Sequence, residues 1–461
     1  MKIVKIVGPE IVDSLNPYLL NFVQISTTNH IARRSPLTLI TAARFDVIAK
    51  YIYVQFKRLS IRSSWFLSLY LEHIKAFNNY QEEDGTKQSF QDFLTNFDQL
   101  IDDIQTRGFD ENRSVVPVLN RRFILDGSHR VATCLSMDYP LSTLYVQLKQ
   151  EWISKISINY NYNFFRIRGM PEPYLDAIAL EYCKLKPNTY IATIFPAAQN
   201  YDSEIKKIFQ DWGEIVYEKS VALNHNGAIN LIKTIYANEP WLGHWQNNFY
   251  GALLKASGCF RKPGLVRVFL IESPSLENLK IAKNQIREIF NIGNDSIHIN
   301  DSHEETILLA QTLFNANSIQ FLNQSRYRFY QNFDYLFNQY KNTLIKSNLN
   351  PDFFCIDSSS ILAVYGIREA RDLDYIHFGN SPIIFPHPEI ASHNSELHYH
   401  PYPRDEIIFN PENHFYYKGL KFASLEVVRQ MKLKRNEEKD RQDVREIDRL
   451  VSVPSVIPPF D

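Results

Sequence analysis

Phe353-Phe354-Cys355-Ile356-Asp357-Ser358-Ser359-Ser360-Ile361-Leu362-Ala363-Val364-Tyr365-Gly366 leads through Ile367-Arg368-Glu369-Ala370-Arg371 into Asp372-Leu373-Asp374-Tyr375-Ile376. An apolar run, three small hydroxyl residues, a short helical pattern and a second apolar run predict a strand, a tight turn, a helix and a second strand. Side chains alternate along a strand, so Asp372 and Asp374 share one face and Leu373 points into the core. Paired carboxylates are the oxygen donors that hard Mg²⁺ takes, and two-metal phosphoryl chemistry uses such donors to stabilise the attacking and leaving oxygens. A turn of small residues leaves room for a triphosphate, to which backbone N–H groups and a serine hydroxyl donate. The plainer alternative makes Asp372 and Asp374 solvated acids at a strand end.

From about Phe353 to Leu450 the chain resembles the nucleotidyltransferases of the DNA polymerase β superfamily, whose motif is an apolar strand, Gly-Ser, a helix and an Asp-x-Asp strand. The resemblance implies that Ser359 takes the motif serine beside the triphosphate and that Asp372 and Asp374 bind the metal. Ser358 stands where the motif has glycine. The family also uses a third carboxylate to activate the attacking hydroxyl; Glu396 is the first candidate and Asp405 the second. Further on, Gly419-Leu420-Lys421-Phe422-Ala423-Ser424-Leu425, then Lys432, Lys439-Asp440 and Asp443, is similar to the closing helices of the small nucleotidyltransferases. That similarity gives Lys432 a phosphate and gives Lys439, Asp440 and Asp443 the task of fixing the helix pair. The charge alternation from Glu426 to Arg449 also fits a solvated helix face.

A second constellation lies upstream, where the strand-like Arg122-Phe123-Ile124-Leu125 runs into Asp126-Gly127-Ser128-His129-Arg130 and an apolar helical pattern. The free N–H groups of a helix N-terminus together with a cation make an anion site. From about Asp102 to Val146 the chain resembles the ParB/sulfiredoxin superfamily, which implies that Asp126, Gly127, Ser128, His129 and Arg130 bind nucleotide phosphates. Ser128 stands where sulfiredoxin has its catalytic cysteine, so sulfinic-acid reduction is not implied and a kinase or nucleotide-binding role is. The alternative is a capped helix whose His129 and Arg130 bond a neighbouring loop.

Thr189 to Asn315 resembles the nucleoside diphosphate kinases more distantly. Ser296-Ile297-His298-Ile299-Asn300-Asp301-Ser302-His303-Glu304 parallels that family's active-site run, implying His298 as the phosphate-accepting nucleophile and Glu304 as its orienting partner. Phe195 replaces the phosphate-binding lysine and Ile299-Asn300 replaces Gly-Ser, so a non-catalytic copy of the fold is the alternative. Trp241-Leu242-Gly243-His244-Trp245 and Lys255 fit either a pocket or core packing.

With 461 residues the chain exceeds one core. The expected architecture is an α+β multidomain protein: a helical plus ParB/sulfiredoxin-like α/β module over 1–175, a ferredoxin-like (nucleoside diphosphate kinase-like) α/β sandwich over 176–325, and a polymerase-β-type nucleotidyltransferase module over 326–461. A net charge of −1 and no basic block make nucleic acid an unexpected partner. Four scattered cysteines read as reduced, buried thiols. No signal-peptide pattern or apolar run long enough for a membrane span occurs, so a cytoplasmic protein without a membrane partner is expected. The combined expectation is a Mg²⁺-dependent nucleotidyl or phosphoryl transferase using a nucleoside triphosphate, ATP or CTP, on a small phosphorylated metabolite or sugar phosphate, bifunctional if the N-terminal module is a kinase. A nucleotide-gated DNA-associated regulator, or a toxin-type nucleotidyltransferase modifying a protein or tRNA, is the alternative. Oligomeric state is left open.

Overall fold

The alternating and helical patterns resolve into strands and helices over residues 2–120, 122–154, 158–379, 385 and 387–452, the part of the chain that the computed structural model describes. These elements are mixed α and β and divide into two units, Met1–Leu185 and Lys186–Asp461. Residue 175, where the first expected module ends, lies inside the first unit. Glu172–Leu185 continues through it as a helix burying Leu175, Ile178, Ala179 and Tyr182.

In the first unit, strands β1 (Lys2–Val7), β2 (Asn29–Arg34), β3 (Val116–Leu119), β4 (Phe123–Ile124) and β5 (Leu141–Tyr145) form one sheet of order β1-β2-β5-β3-β4. β3 runs parallel to β5, and the other neighbours are antiparallel. Four of the unit's helices are α1 (Phe45–Arg58), α2 (Ser64–Asn78), α3 (Phe90–Arg107) and α4 (Ser128–Met137). α3 starts at a capping box of Ser89 and Asp92 and buries Phe93, Phe97, Ile101 and Ile104 along one face. Gly108 ends it with φ 76° and ψ −176°, so the chain leaves the helix extended rather than through a left-handed cap. Asn120, between β3 and β4, has φ 48°.

α1 is buried nearly all round and takes a charged cluster inside with it. Asp46 meets Arg44 Nε and Lys50 Nζ, each at 2.8 Å, and all three side chains are almost fully buried. Burial alone would raise the Asp46 carboxyl, but the two cations outweigh it and hold it well below the ordinary carboxylate range.

The second unit begins with β6 (Thr189–Ile194), β7 (Glu214–Val221), β8 (Val266–Glu272) and β9 (Ile297–Ile299) in the order β9-β6-β8-β7, every neighbour antiparallel. Helix α5 (Asp202–Trp212) joins β6 to β7, α6 (His225–Ile235) follows β7, and α7 (Leu276–Phe290) joins β8 to β9. Two β-α-β halves are thus interleaved in one sheet. Ile205 and Phe209 of α5 with Leu279 and Ile286 of α7 pack on Ile194, Phe269 and Ile271.

Helices α8 (Ala316–Gln324) and α9 (Gln331–Lys346) lead into β10 (Phe354–Asp357), α10 (Ser359–Val364), β11 (Leu373–His377), β12 (Ile390–Ser392), β13 (His414–Tyr417) and β14 (Leu420–Ala423), then α11 (Leu425–Arg435) and α12 (Glu438–Ser452). The sheet order is β12-β11-β10-β14-β13; β10 is antiparallel to β11 and parallel to β14. Phe321 of α8 stacks on Phe415 of β13 at 4.7 Å, so the middle and C-terminal segments share packing within this unit. The four cysteines are free and buried. Among the described residues no helix is long and apolar enough to cross a membrane.

Removing the anion of the α1 cluster leaves two buried cations facing each other. Asp46→Ala is expected to destabilise the first unit by about 3–5 kcal/mol in urea unfolding, the range for breaking a buried ion pair from one side. A loss under about 1 kcal/mol would show that the cations find other partners or water.

Candidate functional site

β10 and β11 pair so that Asp357, the last residue of one strand, lies opposite Asp374 of the other. Chain direction reverses just there: Ser358 takes φ 62° and ψ −128°, a conformation natural to glycine and strained for serine. Ser358 therefore has a backbone geometry that glycine would adopt without strain. Ser359 opens α10, and its hydroxyl donates to Asp372 Oδ1 at 3.0 Å. Asp372 sits in the bend just before β11 rather than within the strand and is exposed. Asp374 is within the strand and partly buried. The turn thus gathers Ser358, Ser359, Asp372 and Asp374, as the sequence suggested, and adds Asp357.

The electrostatics of the corner depend on that third aspartate. Asp357 is fully buried, and its Oδ2 lies 3.0 Å from His393 Nδ1 and 2.9 Å from His400 Nε2. Burial would raise its pKa, but His400 and His393 outweigh burial and keep the carboxylate ionised. Its Oδ1 has no hydrogen-bond partner among the described residues. His393 turns its other nitrogen, Nε2, toward Asp374 Oδ2 at 3.6 Å. Burial disfavours charge on His393, yet the hydrogen bond and charge of Asp357, with Asp374 and Glu396, raise its pKa. Asp374 itself is pushed up to about 6, by burial first and then by Asp372 and Asp357, with His393 and a Ser358 hydrogen bond opposing.

Glu396 is partly exposed on the short helix Asn394–Tyr399, close enough for its field to reach His393. Asp405 is buried in the first turn of Arg404–Phe409 and accepts from Arg404 Nε at 2.8 Å. Lys432 is buried between α11 and α12, its ammonium 2.8 Å from Asp443 and 3.3 Å from Asp440. Arg435 forms two bonds to Asp440, and Arg368 grips Asp443 with both Nε and Nη2. Burial would raise Asp440, but Arg435 and Lys432 hold it at about 2. Lys439 is exposed beside Glu437. The alternating charges are therefore a knot joining the helix pair, not simply a solvated face. Fields from this knot reach the corner: Arg368 feels Asp372, and Arg435 feels Asp374.

In the first unit, Gly127 has φ 88°, and a Cβ there would meet the Arg130 guanidinium at 2.7 Å. Arg130 pairs with Asp126 at 3.0 Å and donates to the Val115 carbonyl at 3.2 Å. Ser128 accepts from Lys50 Nζ at 2.9 Å, and His129 Nε2 meets the Tyr70 hydroxyl at 2.9 Å. Burial, then Lys50, keep His129 neutral. These residues line a cavity of about 320 Å³ together with Arg44 and Lys87. A cavity of about 550 Å³ shares Phe77, Glu82, Leu125, Asp126 and Tyr160 with it, and adds Tyr18, Phe22 and Trp152.

His298 lies on β9 with its ring 5.0 Å from Tyr236. Burial, then Lys283, Lys255 and Arg287, lower it to about 3, so it is neutral at pH 7. Glu304 is exposed in the first turn of His303–Leu313 and makes no hydrogen bond to His298. Lys255 pairs with Asp295 at 2.8 Å, while Trp241 and Trp245 are exposed rather than packed in a core.

Among the described residues no three or more His, Cys, Asp or Glu side chains form a ready metal cage. The corner offers Asp372 and Asp374, hard oxygen donors whose mutual repulsion a cation would relieve. Compared with protein-family models, curated proteins and solved structures, the chain matches none.

An Asp374 carboxyl that titrates near about 3.9 when unfolded and at about 6 when folded favours the folded state below about pH 4 and loses that contribution as pH rises through 6. Asp374→Asn, which cannot ionise, is expected to stabilise the ligand-free protein by up to about 3 kcal/mol above pH 6, with the gain shrinking to nothing near pH 4. Urea titrations across that range read it; a difference independent of pH would remove Asp374 from the charged corner.

Proposed function

We propose that the chain is a Mg²⁺-dependent nucleotidyltransferase whose site is the corner formed by Ser358, Ser359, Asp372 and Asp374. The observation that carries this is the Ser359 hydroxyl bonded to Asp372 at 3.0 Å beside Asp374, in a turn with the backbone of the missing glycine. A polymerase-β-type arrangement of strand, turn, helix and acidic strand accounts for it. Asp372 and Asp374 would hold Mg²⁺, which supplies Lewis-acid stabilisation of charge on phosphate oxygens. Ser358 and Ser359 would hold the triphosphate through the turn. His393, fixed by Asp357, would orient Asp374 and favour its ionised form in the absence of ligand. An acceptor hydroxyl then attacks the α-phosphorus, pyrophosphate leaves, and the hydroxyl proton passes to a base, for which Glu396 is the candidate. Lys432 is assigned to the helix knot rather than to a phosphate, since two carboxylates already neutralise it.

The N-terminal unit is proposed as a second nucleotide-phosphate site of ParB/sulfiredoxin type. Lys50, Lys87, Arg130 and the start of α4 around one cavity favour it, and the adjoining aromatic cavity has room for a base. The strand order of the middle segment supports a ferredoxin-like, nucleoside diphosphate kinase-like scaffold. The burial of His298, with no hydrogen bond to Glu304, favours its non-catalytic alternative.

Transfer of label from α-labelled but not γ-labelled ATP or CTP to an acceptor, with release of pyrophosphate, tests the proposal. Asp372→Asn and Asp374→Asn are each expected to lower that transfer by about 10²-fold or more; wild-type transfer in either variant would overturn it. Arg130→Ala is expected to weaken nucleotide binding to the first unit by about 1.5–3 kcal/mol in calorimetry, the range for hydrogen bonds to a charged group. Unchanged affinity would return Asp126–Arg130 to helix capping.

A further inference from the structure

Between α8 and α9 the chain reads Arg326-Tyr327-Arg328-Phe329-Tyr330, cations alternating with rings, and its first four residues are exposed. Phe329 stacks on Trp245 with ring centres 4.7 Å apart and planes within 5°, yet the two residues remain 38% and 44% exposed. Tyr327, 42% exposed, meets Phe249 edge-on at 4.8 Å, and Lys233 of α6 lies over both rings at 4.1 and 4.3 Å. Lys418, in the β13–β14 turn, adds a charge that Lys233 and Lys341 both feel, and Lys341 Nζ donates to the Lys418 carbonyl at 3.3 Å.

Among the described residues, none of Arg326, Arg328, Lys233, Lys341 and Lys418 has a carboxylate within 4.0 Å. Asp334 is the acid whose field reaches Tyr327 and Tyr417. Burial, then Lys418, lower Lys233 to about 8. Cations gathered without counter-charges repel one another, and a polyanion relieves that repulsion. Exposed stacked rings are platforms for planar bases, and rings interleaved with cations are the chemistry that holds single strands.

We propose that this surface binds single-stranded RNA, its phosphates on the five cations and an unstacked base against the Trp245–Phe329 pair. An anionic lipid surface or an acidic protein would meet the cations but leave the ring stack without a planar partner; single-stranded RNA offers both. The surface is tied to the catalytic corner by the chain itself. Arg326 N–H donates to the Tyr365 carbonyl at 3.0 Å, the Tyr330 hydroxyl to the Gly366 carbonyl at 3.3 Å, and Phe333 N–H to Glu369 at 3.0 Å. Asn332 continues the contact to the carbonyls of Ala370 and Arg371. A strand lying along Arg326–Tyr330 therefore follows the loop that leads into Asp372. Its role as the acceptor of the nucleotidyl group rests on the transfer reading above; its binding does not. Nucleic acid was not expected from the sequence because the cations come from four separate stretches, and the net charge of −1 reports none of their grouping.

Fluorescence anisotropy of the full chain with a labelled mixed-sequence RNA of about 20 nucleotides, without nucleotide or metal, tests the binding. Saturable, salt-sensitive binding is expected. Arg326→Ala/Arg328→Ala is expected to lower the log–log salt slope by about 1.4, two single-strand phosphate contacts. Trp245→Ala is expected to weaken binding by about 5- to 100-fold with the slope unchanged. Circular dichroism melts confirm folding, and the arginine pair on the exposed segment keeps the test open if Trp245→Ala unfolds. No saturable binding, wild-type binding by both variants, equal affinity for DNA of the same sequence, or equal affinity for heparin or phosphatidylserine vesicles would each overturn the assignment to RNA. Failure of binding leaves the transfer proposal standing, whereas RNA that binds but takes no label from α-labelled nucleotide counts against its role as acceptor and not against the surface.

Discussion

The antiparallel register that sets Asp357 opposite Asp374 is the constraint on which the C-terminal site depends. It brings carboxylates to one edge of the sheet, and Asp372 follows because it immediately precedes the paired strand. Like charges this close need compensation. His393 and His400 provide it for Asp357, while for Asp374 the nearer edge of His393 and a Ser358 hydrogen bond do not outweigh burial and the neighbouring aspartates, and its carboxyl is pushed up to about 6. The corner therefore holds one aspartate kept ionised by its imidazole partners, whose field, together with that of Asp372, raises the other.

The same logic of buried charge recurs twice, in simpler form. Asp46 between Arg44 and Lys50, and Lys432 between Asp440 and Asp443, are internal ion clusters whose members nearly all have partners. Such clusters contribute less to net stability than an apolar packing of equal volume often does, but they penalise any arrangement that separates their members. In the first unit the cluster also reaches the start of α4, because Lys50 extends past Asp46 to the Ser128 hydroxyl. In the second it fixes the helices behind the corner, with Arg368 linking Asp443 to the loop before Asp372.

Much of this was legible in the sequence, and the part that was not has a common cause. Asp372, Asp374, Ser358 and Ser359 lie in one short stretch where strand period and turn chemistry act locally. The helix start at Ser128 is likewise local, set by Gly127. Asp357 escaped because it ends an apolar strand and looks like its terminus. Its imidazole partners lie 36 and 43 residues further on, brought back through β12 and the short helix after it. Lys432 was read toward a phosphate because its partners lie on the following helix, and no periodicity along α11 reveals them. The helix Glu172–Leu185 crosses the module end expected at residue 175, because its apolar spacing begins beside Gly169, Pro171 and Pro173.

The central claim is that Asp372 and Asp374 hold a divalent ion together with a nucleotide at the Ser358–Ser359 turn. Anomalous diffraction from crystals grown with Mn²⁺ and a non-hydrolysable ATP or CTP analogue tests it most directly. The account predicts an anomalous peak within coordination distance of oxygens of both carboxylates, with the triphosphate against the turn. A metal–nucleotide complex seated elsewhere, with Asp372 and Asp374 free of metal, would contradict it.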